Sequence, residues 1–271
     1  MLADREWRLI REESRDGPTN MALDEVAAAS ATTDGVRTLR VYQWEPSCLS
    51  MGYQQAADSV DWAFCEREGI DVTRRQTGGG GIYHDSHADV SYSIIAPADE
   101  LPGSLMDCYE LLCEPVLDAI RSVGVDADFA DDEYPRIHQP ACYLRGIHPA
   151  HDVLAYGDDE ARKLSGNAQY RQRDAVIQHG SISFDLATDR HLGVFADHDV
   201  TPDRFRERVT GIRQQADVDR ETFVTALEES LGEWADATEG GWTDDELDAA
   251  AEMVETKYDN EAWVRDRDDS R

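Results

Sequence analysis

Four consecutive glycines, Gly78 to Gly81, constrain this chain more than any other stretch. Glycine lacks a Cβ and weakens both helix and strand interiors, so the run reads as a loop whose backbone can approach a ligand closely. Arg74-Arg75-Gln76-Thr77 precedes it, and Ile82-Tyr83-His84-Asp85 follows. Successive N–H groups in such a loop can form a concavity for an anion, and Arg74 or Arg75 could add a planar two-point fork. Val90, Tyr92 and Ile94 then alternate with Ser91 and Ser93, which predicts a half-buried strand. Neither common phosphate loop is present, because no Gly-Lys-Ser/Thr arrangement and no helix start follow the glycines. A flexible turn before a strand is the alternative reading of the same residues.

The rest of the chain reads as mixed α and β. Strands are expected at Trp7–Arg11, Thr38–Trp44, Cys48–Gly52, Cys142–Gly146, Val153–Ala155, Arg162–Gly166 and Ala175–Phe184, and Ile70–Arg74 leads back into the glycine loop. Tyr156-Gly157-Asp158-Asp159 suits a hairpin turn. Asn20 reads as the N-cap of a helix running to about Ala31, and Val60–Glu68 as a helix closed by Gly69. Residues 126–136 read as loop. Leu105 to Val123 has helical apolar spacing. From Pro202 the chain turns helical, with Thr201 as a cap and Thr243 and Glu246 as a capping box.

Composition narrows the function classes. With 57 acidic against 26 basic residues the formal charge is −31, which argues against nonspecific binding to nucleic acid or an anionic membrane. The acid is spread along the chain, as on the solvated surfaces of halophilic proteins. No run of 18 apolar residues indicates a membrane span, and the N-terminus has no signal-peptide apolar core. The five cysteines contain no Cys-x-x-Cys pair, which suits a reducing cytoplasm rather than a disulfide or zinc framework. His84 and His87 lack a third placed ligand, so no protein-held metal is expected. Just two of the 26 basic residues are lysines, Lys163 and Lys257. A lysine kept against so much arginine suggests a place for a compact ammonium, although a solvated position would accept either.

Two stretches together resemble the lipoate-protein ligase A family, within the biotin and lipoate ligase and octanoyltransferase superfamily. The first is Arg74-Arg75-Gln76-Thr77-Gly78-Gly79-Gly80-Gly81-Ile82-Tyr83-His84-Asp85. The second is Lys163-Leu164-Ser165-Gly166-Asn167-Ala168, followed by His179-Gly180. Weaker matches lie at Gly17–Glu25 and Leu39–Gln54, so the likeness covers about residues 17 to 263. It implies an α/β (α+β) fold of the class II synthetase-like type: a mixed, largely antiparallel sheet with packed helices, one catalytic domain over 1–271 whose portion from about 202 is helical, and no accessory C-terminal domain.

The implied reaction is two-step. Lipoate and ATP, with Mg²⁺ carried by the nucleotide, give lipoyl-adenylate, and the acyl group passes to a lysine of a lipoyl domain of a 2-oxoacid dehydrogenase complex or of the glycine cleavage H protein. A separate small accessory subunit is a further implied partner. Lys163 takes the catalytic place. Arg74, Arg75, Gly78, Gly79, Gly80, Gly81, Tyr83, His84, Asp89, Gly166, Ala168 and His179 take binding places. Ser86-His87-Ala88 departs from the shorter, glycine-containing turn usual there.

Some relatives are octanoyltransferases that use a cysteine and no ATP, and Cys142 stands where one branch carries it. Members of that branch tend to carry an arginine in the glycine loop, whereas Gly80 and Gly81 match the ligase pattern. Lipoate ligase is therefore the first expectation and octanoyltransferase through Cys142 the second. A silent acyl-adenylate or carrier-binding paralogue is the third.

Overall fold

The computed structural model describes residues 5–149, 151–157, 161–171 and 174–268. In chain order its strands are β1 (Trp7–Arg15), β2 (Arg37–Trp44), β3 (Cys48–Met51), β4 (Asp71–Arg74), β5 (Ile82–His84), β6 (Asp89–Pro97), β7 (Ala127–Phe129), β8 (Asp152–Ala155), β9 (Arg162–Arg171), β10 (Ala175–Ser183) and β11 (Thr238–Glu239). Its helices are α1 (Gly17–Thr33), α2 (Trp62–Glu68), α3 (Leu105–Ser122), α4 (Thr188–Gly193), α5 (Pro202–Arg208), α6 (Ile212–Gln215), α7 (Arg220–Ala235), α8 (Asp244–Met253) and α9 (Glu261–Asp266). A large sheet runs β11-β1-β2-β6-β10-β9-β8-β7, and a small one β4-β3-β5. Pairing is antiparallel from β2 through β6, β10, β9 and β8 to β7, while β11, β1 and β2 are mutually parallel. The mixed, largely antiparallel sheet with packed helices is thus present.

The sheet's two faces differ in chemistry. One face sends Leu39, Val41, Val90, Tyr92, Ile94 and Val176 into a core shared with α3 and α7. Truncating a residue such as Leu39 to alanine there should cost about 2–5 kcal/mol. The other face packs Ile95, Ala175 and Ile177 against Ala27, Ala28 and Ala31 of α1 at one end. Farther along it becomes polar. β6 is therefore not half-buried: Ser91 and Ser93 are 1% and 0% exposed. Their alternation marks a buried polar floor, not a solvent face.

Several local expectations change for physical reasons. α1 starts earlier than Asn20, because the Asp16 carboxylate accepts from Thr19 N at 2.8 Å and Pro18 occupies the first turn. Asn20 is buried inside the helix, where its Oδ1 accepts from Arg40 Nη2 at 2.7 Å. Cys142–Leu144 is a 3-10 turn rather than a strand. Residues 127–129, read as loop, form the sheet's edge at β7. Asp158 and Asp159 of the expected hairpin turn lie outside the described residues. Gly69 caps α2 in the left-handed conformation, and Thr243 and Glu246 form their capping box.

Candidate functional site

Two rows of paired residues cross the polar face. Tyr42, Ser91, Ser181, Gly166 and Asp152 are successive partners from β2 to β8, and Arg40, Ser93, His179 and Ala168 form the next row. Above these rows lies a cavity of about 290 Å³. Gly166, Ala168, His179 and Ser181 line its floor, Gly78 and Gly79 one wall, and Cys142, Arg145 and Gly146 another. Met21, Tyr42, Trp44 and Ile82 supply apolar surface.

Lys163 reaches this cavity through a defect in strand pairing. Asp152 pairs with Gly166 and Val153 with Ser165, but Leu154 pairs with Lys163, so Leu164 is an extra residue. Such a bulge reverses the side-chain alternation and places Lys163 on the face of Gly166. Lys163 Nζ lies 2.7 Å from Asp152 Oδ1 and donates to the Cys142 carbonyl at 3.2 Å. The two side chains are 2% and 3% exposed. Burial works against the Lys163 ammonium, yet Asp152 and then Cys142 outweigh it and raise its pKa. Burial likewise opposes charge on Asp152, but Lys163 and His151 hold that carboxyl well below the usual carboxylate range. The pair therefore stays ionised.

The glycine loop is built to receive the Cys142 turn. Gly81 N donates to Pro140 O at 2.7 Å, and Cys142 N to Gly81 O at 2.9 Å. A Cβ at Gly80 would stand 2.5 Å from Pro140 O and 2.9 Å from Cys142 N, both backbone atoms. Gly79 adopts φ +102, in the region that favours glycine. A Cβ at Gly78 would meet nothing within 4 Å, so this residue faces open cavity space. Cys142 is partly exposed, whereas Cys48, Cys65, Cys108 and Cys113 are buried. A Cβ at Gly166 would touch Cys142 Sγ at 3.4 Å and Lys163 Nζ at 3.5 Å, so thiol and ammonium converge on one spot of the floor.

The two arginines are both engaged by the protein's own backbone. Arg75 donates from Nε to Thr77 Oγ1 at 2.9 Å, from Nη1 to Ser50 O at 2.7 Å, and from Nη2 to Gly78 O and Gly80 O at 2.8 and 2.7 Å. Its guanidinium thus holds the loop's shape, and burial pulls its pKa down to about 10. Arg74 is fully buried, with Nη1 on the carbonyls of Gly52, Tyr53 and Gln55 and Nε on Val264 O. Neither is a free fork for a phosphate. Arg74, Gly80, Gly81, Tyr83 and Asp89 are not among the residues that line the cavity. Tyr83 instead donates to Asp85 at 2.8 Å.

Both motif histidines sit in polar relays. His84 Nδ1 lies 3.0 Å from Asp89 Oδ2, its Nε2 lies 2.9 Å from Ser50 Oγ, and its ring stacks on Trp44 at 3.9 Å. Burial lowers the His84 pKa despite Asp89. Ser91 and Ser181 donate to the Asp89 carboxylate. His179 Nε2 lies 2.7 Å from Thr77 Oγ1, and its Nδ1 lies 3.3 Å from Asp24, which also receives Ser93 and Arg40. Sequence reasoning left out Asp24, Arg145, His151, Asp152 and Asn167. Asp152 carried a usable signal, as a carboxylate opening the strand Val153–Ala155. No group of three or more His, Cys, Asp or Glu able to hold a metal occurs among the described residues.

The apolar lining suits an acyl chain ending at Lys163. Both motif arginines and Gly81 N are engaged by backbone carbonyls of the protein itself. Arg145 lines the cavity near Lys163, whose ammonium is paired with Asp152.

Fold and cavity together define a catalytic domain of the lipoate-ligase type. The chain belongs to the family described as the lipoyl protein ligase A/B catalytic domain, whose sequence model matches residues 16–232. Octanoyltransferase LipM of Kyrpidia tusciae is 33% identical over 273 residues, covering 95% of this chain and 97% of that protein. A solved bi-partite lipoate protein ligase from Thermoplasma acidophilum, 24% identical, superposes with a TM-score of 0.80 over 96% of each chain. A lipoate-protein ligase A bound with ATP, 25% identical, gives 0.78 over 96% of this chain and 98% of that one. No helix among the described residues is long and apolar enough to cross a membrane.

Proposed function

We propose that this chain is an octanoyltransferase. It takes an octanoyl group from a carrier-protein thioester onto Cys142 and passes it to a lysine of a lipoyl carrier domain. The observation that carries this reading is the convergence of Cys142 Sγ and Lys163 Nζ over Gly166. The name of the Kyrpidia relative supports the same activity. This reverses the order of expectation from sequence, in which an ATP-dependent ligase came first.

In the first half-reaction the Cys142 thiolate attacks the donor thioester carbon. Lys163, held protonated by Asp152, supplies the counter-charge for the thiolate and a donor for the carbonyl oxygen as it becomes negative. The donor C–S bond breaks, the carrier leaves as its thiolate, and an S-acyl cysteine remains. In the second half-reaction a lysine amine attacks that thioester, an amide forms as the C–S bond breaks, and Cys142 is released as the thiol. Met21, Tyr42, Trp44 and Ile82 hold the chain, and the loop at Gly78 gives it room.

The ligase reading keeps two supports: the intact Gly80-Gly81 pair and the likeness to the ATP-bound ligase. Intact-mass measurement of an apo lipoyl domain separates the two. One reaction holds octanoyl-acyl carrier protein without nucleotide; the other holds lipoate, ATP and Mg²⁺. The transferase reading expects an octanoyl shift in the first, lost in Cys142→Ser. A lipoyl shift confined to the second, and undiminished in Cys142→Ser, would replace it with the ligase. An absent shift in both would favour the silent paralogue or a missing accessory subunit.

A further inference from the structure

Asp152 faces two side chains at once, Lys163 and His151, and the second has no role in the chemistry above. Its Oδ1 lies 2.7 Å from Lys163 Nζ and 3.5 Å from His151 Nδ1, while its Oδ2 accepts from His148 N at 2.9 Å. His151 lines the same cavity as Cys142, yet its side chain is 37% exposed, so it stands between the buried centre and solvent. It is held in place. Its carbonyl accepts from Asn167 Nδ2 at 2.9 Å, and its ring stacks on His148 with centroids 5.3 Å apart and planes 12° apart. Tyr109 packs beside it at 5.7 Å.

The second half-reaction poses a proton problem that Lys163 does not solve. The incoming lysine arrives as an ammonium, since its ordinary pKa is about 10.4. It must lose one proton before it can attack. Lys163 is itself protonated and paired with Asp152, so it has no lone pair to receive that proton. A histidine with one nitrogen facing a carboxylate keeps its other nitrogen as an acceptor, the arrangement used by general bases. Contacts of this kind are often long before substrate arrives.

Resting on the transferase reading above, we infer that His151, oriented by Asp152, is the base that deprotonates the acceptor lysine. The acceptor ammonium gives one proton to His151 Nε2, and its freed nitrogen bonds to the thioester carbon. The tetrahedral adduct then breaks its C–S bond. The second nitrogen-bound proton passes to the departing Cys142 sulfur, and His151 returns its own proton to solvent. Lys163 stays protonated throughout.

The test separates the half-reactions. His151→Ala and His151→Gln are mixed with octanoyl-acyl carrier protein, and the S-acyl form of Cys142 is followed by intact mass. Apo lipoyl domain is then added. Acylation of Cys142 should stay close to wild type, while transfer slows about 10²–10⁴-fold, the usual worth of a general base. The acyl-enzyme should accumulate, and added imidazole should restore part of the transfer in His151→Ala. Equal slowing of both steps, or unchanged transfer, overturns the assignment. Failure of wild-type Cys142 to become acylated would instead remove the transferase reading, and this inference with it.

Discussion

Replacing Asp152 with asparagine keeps the side chain's size and removes its charge. In the native protein Lys163 and Asp152 form an ion pair at 2.7 Å with both side chains nearly inaccessible. The substitution leaves an ammonium buried without a counter-ion, which typically costs about 3–5 kcal/mol. At about 2–4 °C per kcal/mol for a chain of this size, the melting temperature should fall by roughly 6–20 °C. The pH dependence has a definite sign. Without Asp152, burial, the largest influence on Lys163, outweighs the opposing effect of Cys142 and depresses its folded-state pKa, so the unfolded chain binds the proton better. Stability of the variant should therefore rise with pH as Lys163 is released from its charge. In the wild type the raised Lys163 pKa contributes stability that is lost only as pH climbs through that raised value. Thermal melts of wild type, Asp152→Asn, Lys163→Met and the double variant between pH 7 and 10 close the cycle. The double variant should be more stable than Asp152→Asn alone, because no buried charge remains. A drop under 2 °C in Asp152→Asn, or a double variant less stable than it, would refute the argument.

Two further outcomes follow from particular contacts. Gly80→Ala forces a Cβ against Pro140 O and Cys142 N, so it should displace the Cys142 turn and reduce acylation by at least tenfold while leaving the melt within a few degrees; unaltered acylation would show that the turn is not seated on the loop. His191 is buried with its Nε2 unbonded among the described residues, and burial, then the nearby His84, pushes its pKa down to about 3. The unfolded state then binds a proton that the folded state does not, so stability falls by about 1.4 kcal/mol per unit as pH drops below about 6.5. Urea titrations of His191→Phe between pH 6.5 and 4 should show a slope shallower by about one proton, and an identical slope would exclude the assignment.

Lys163 was legible in the sequence because it is one of two lysines in a chain that otherwise uses arginine, and because it falls in a family motif. The glycine run was legible as a loop of consequence. Its partner was not, since the docking of Gly80 and Gly81 on residues 140–142 joins segments some sixty residues apart, and no local pattern reports that. Arg75 stood out in the sequence, but residue type does not say whether a guanidinium faces a ligand or the carbonyls of its own loop, and its bonds to Gly78 O and Gly80 O could not be read there. The Ser91–Ser93 alternation gave the strand and misled about its second face, since a buried polar floor and a wet surface share the same period. Asp152 showed in the sequence as a carboxylate opening a strand, but its pairing with Lys163 depends on the extra residue at Leu164, which turns Lys163 toward it, and a bulge leaves no mark in composition.

The anchoring of Arg74 has a consequence for the order in which the protein is made. Its Nε bonds to Val264 O, a residue 190 positions later, and Trp263 Nε1 donates back to Arg74 O at 2.8 Å. Thr73 likewise donates to Tyr258 O. The strand that leads into the glycine loop is thus clasped by a segment made some 185 to 190 residues later. The sheet and α3 can assemble while synthesis continues, in the order in which domains usually fold. The loop's entry is fastened only after residues 258–264 emerge, so a growing chain presents β2, β6, β9 and β10 before the wall that carries the glycine loop is held in place.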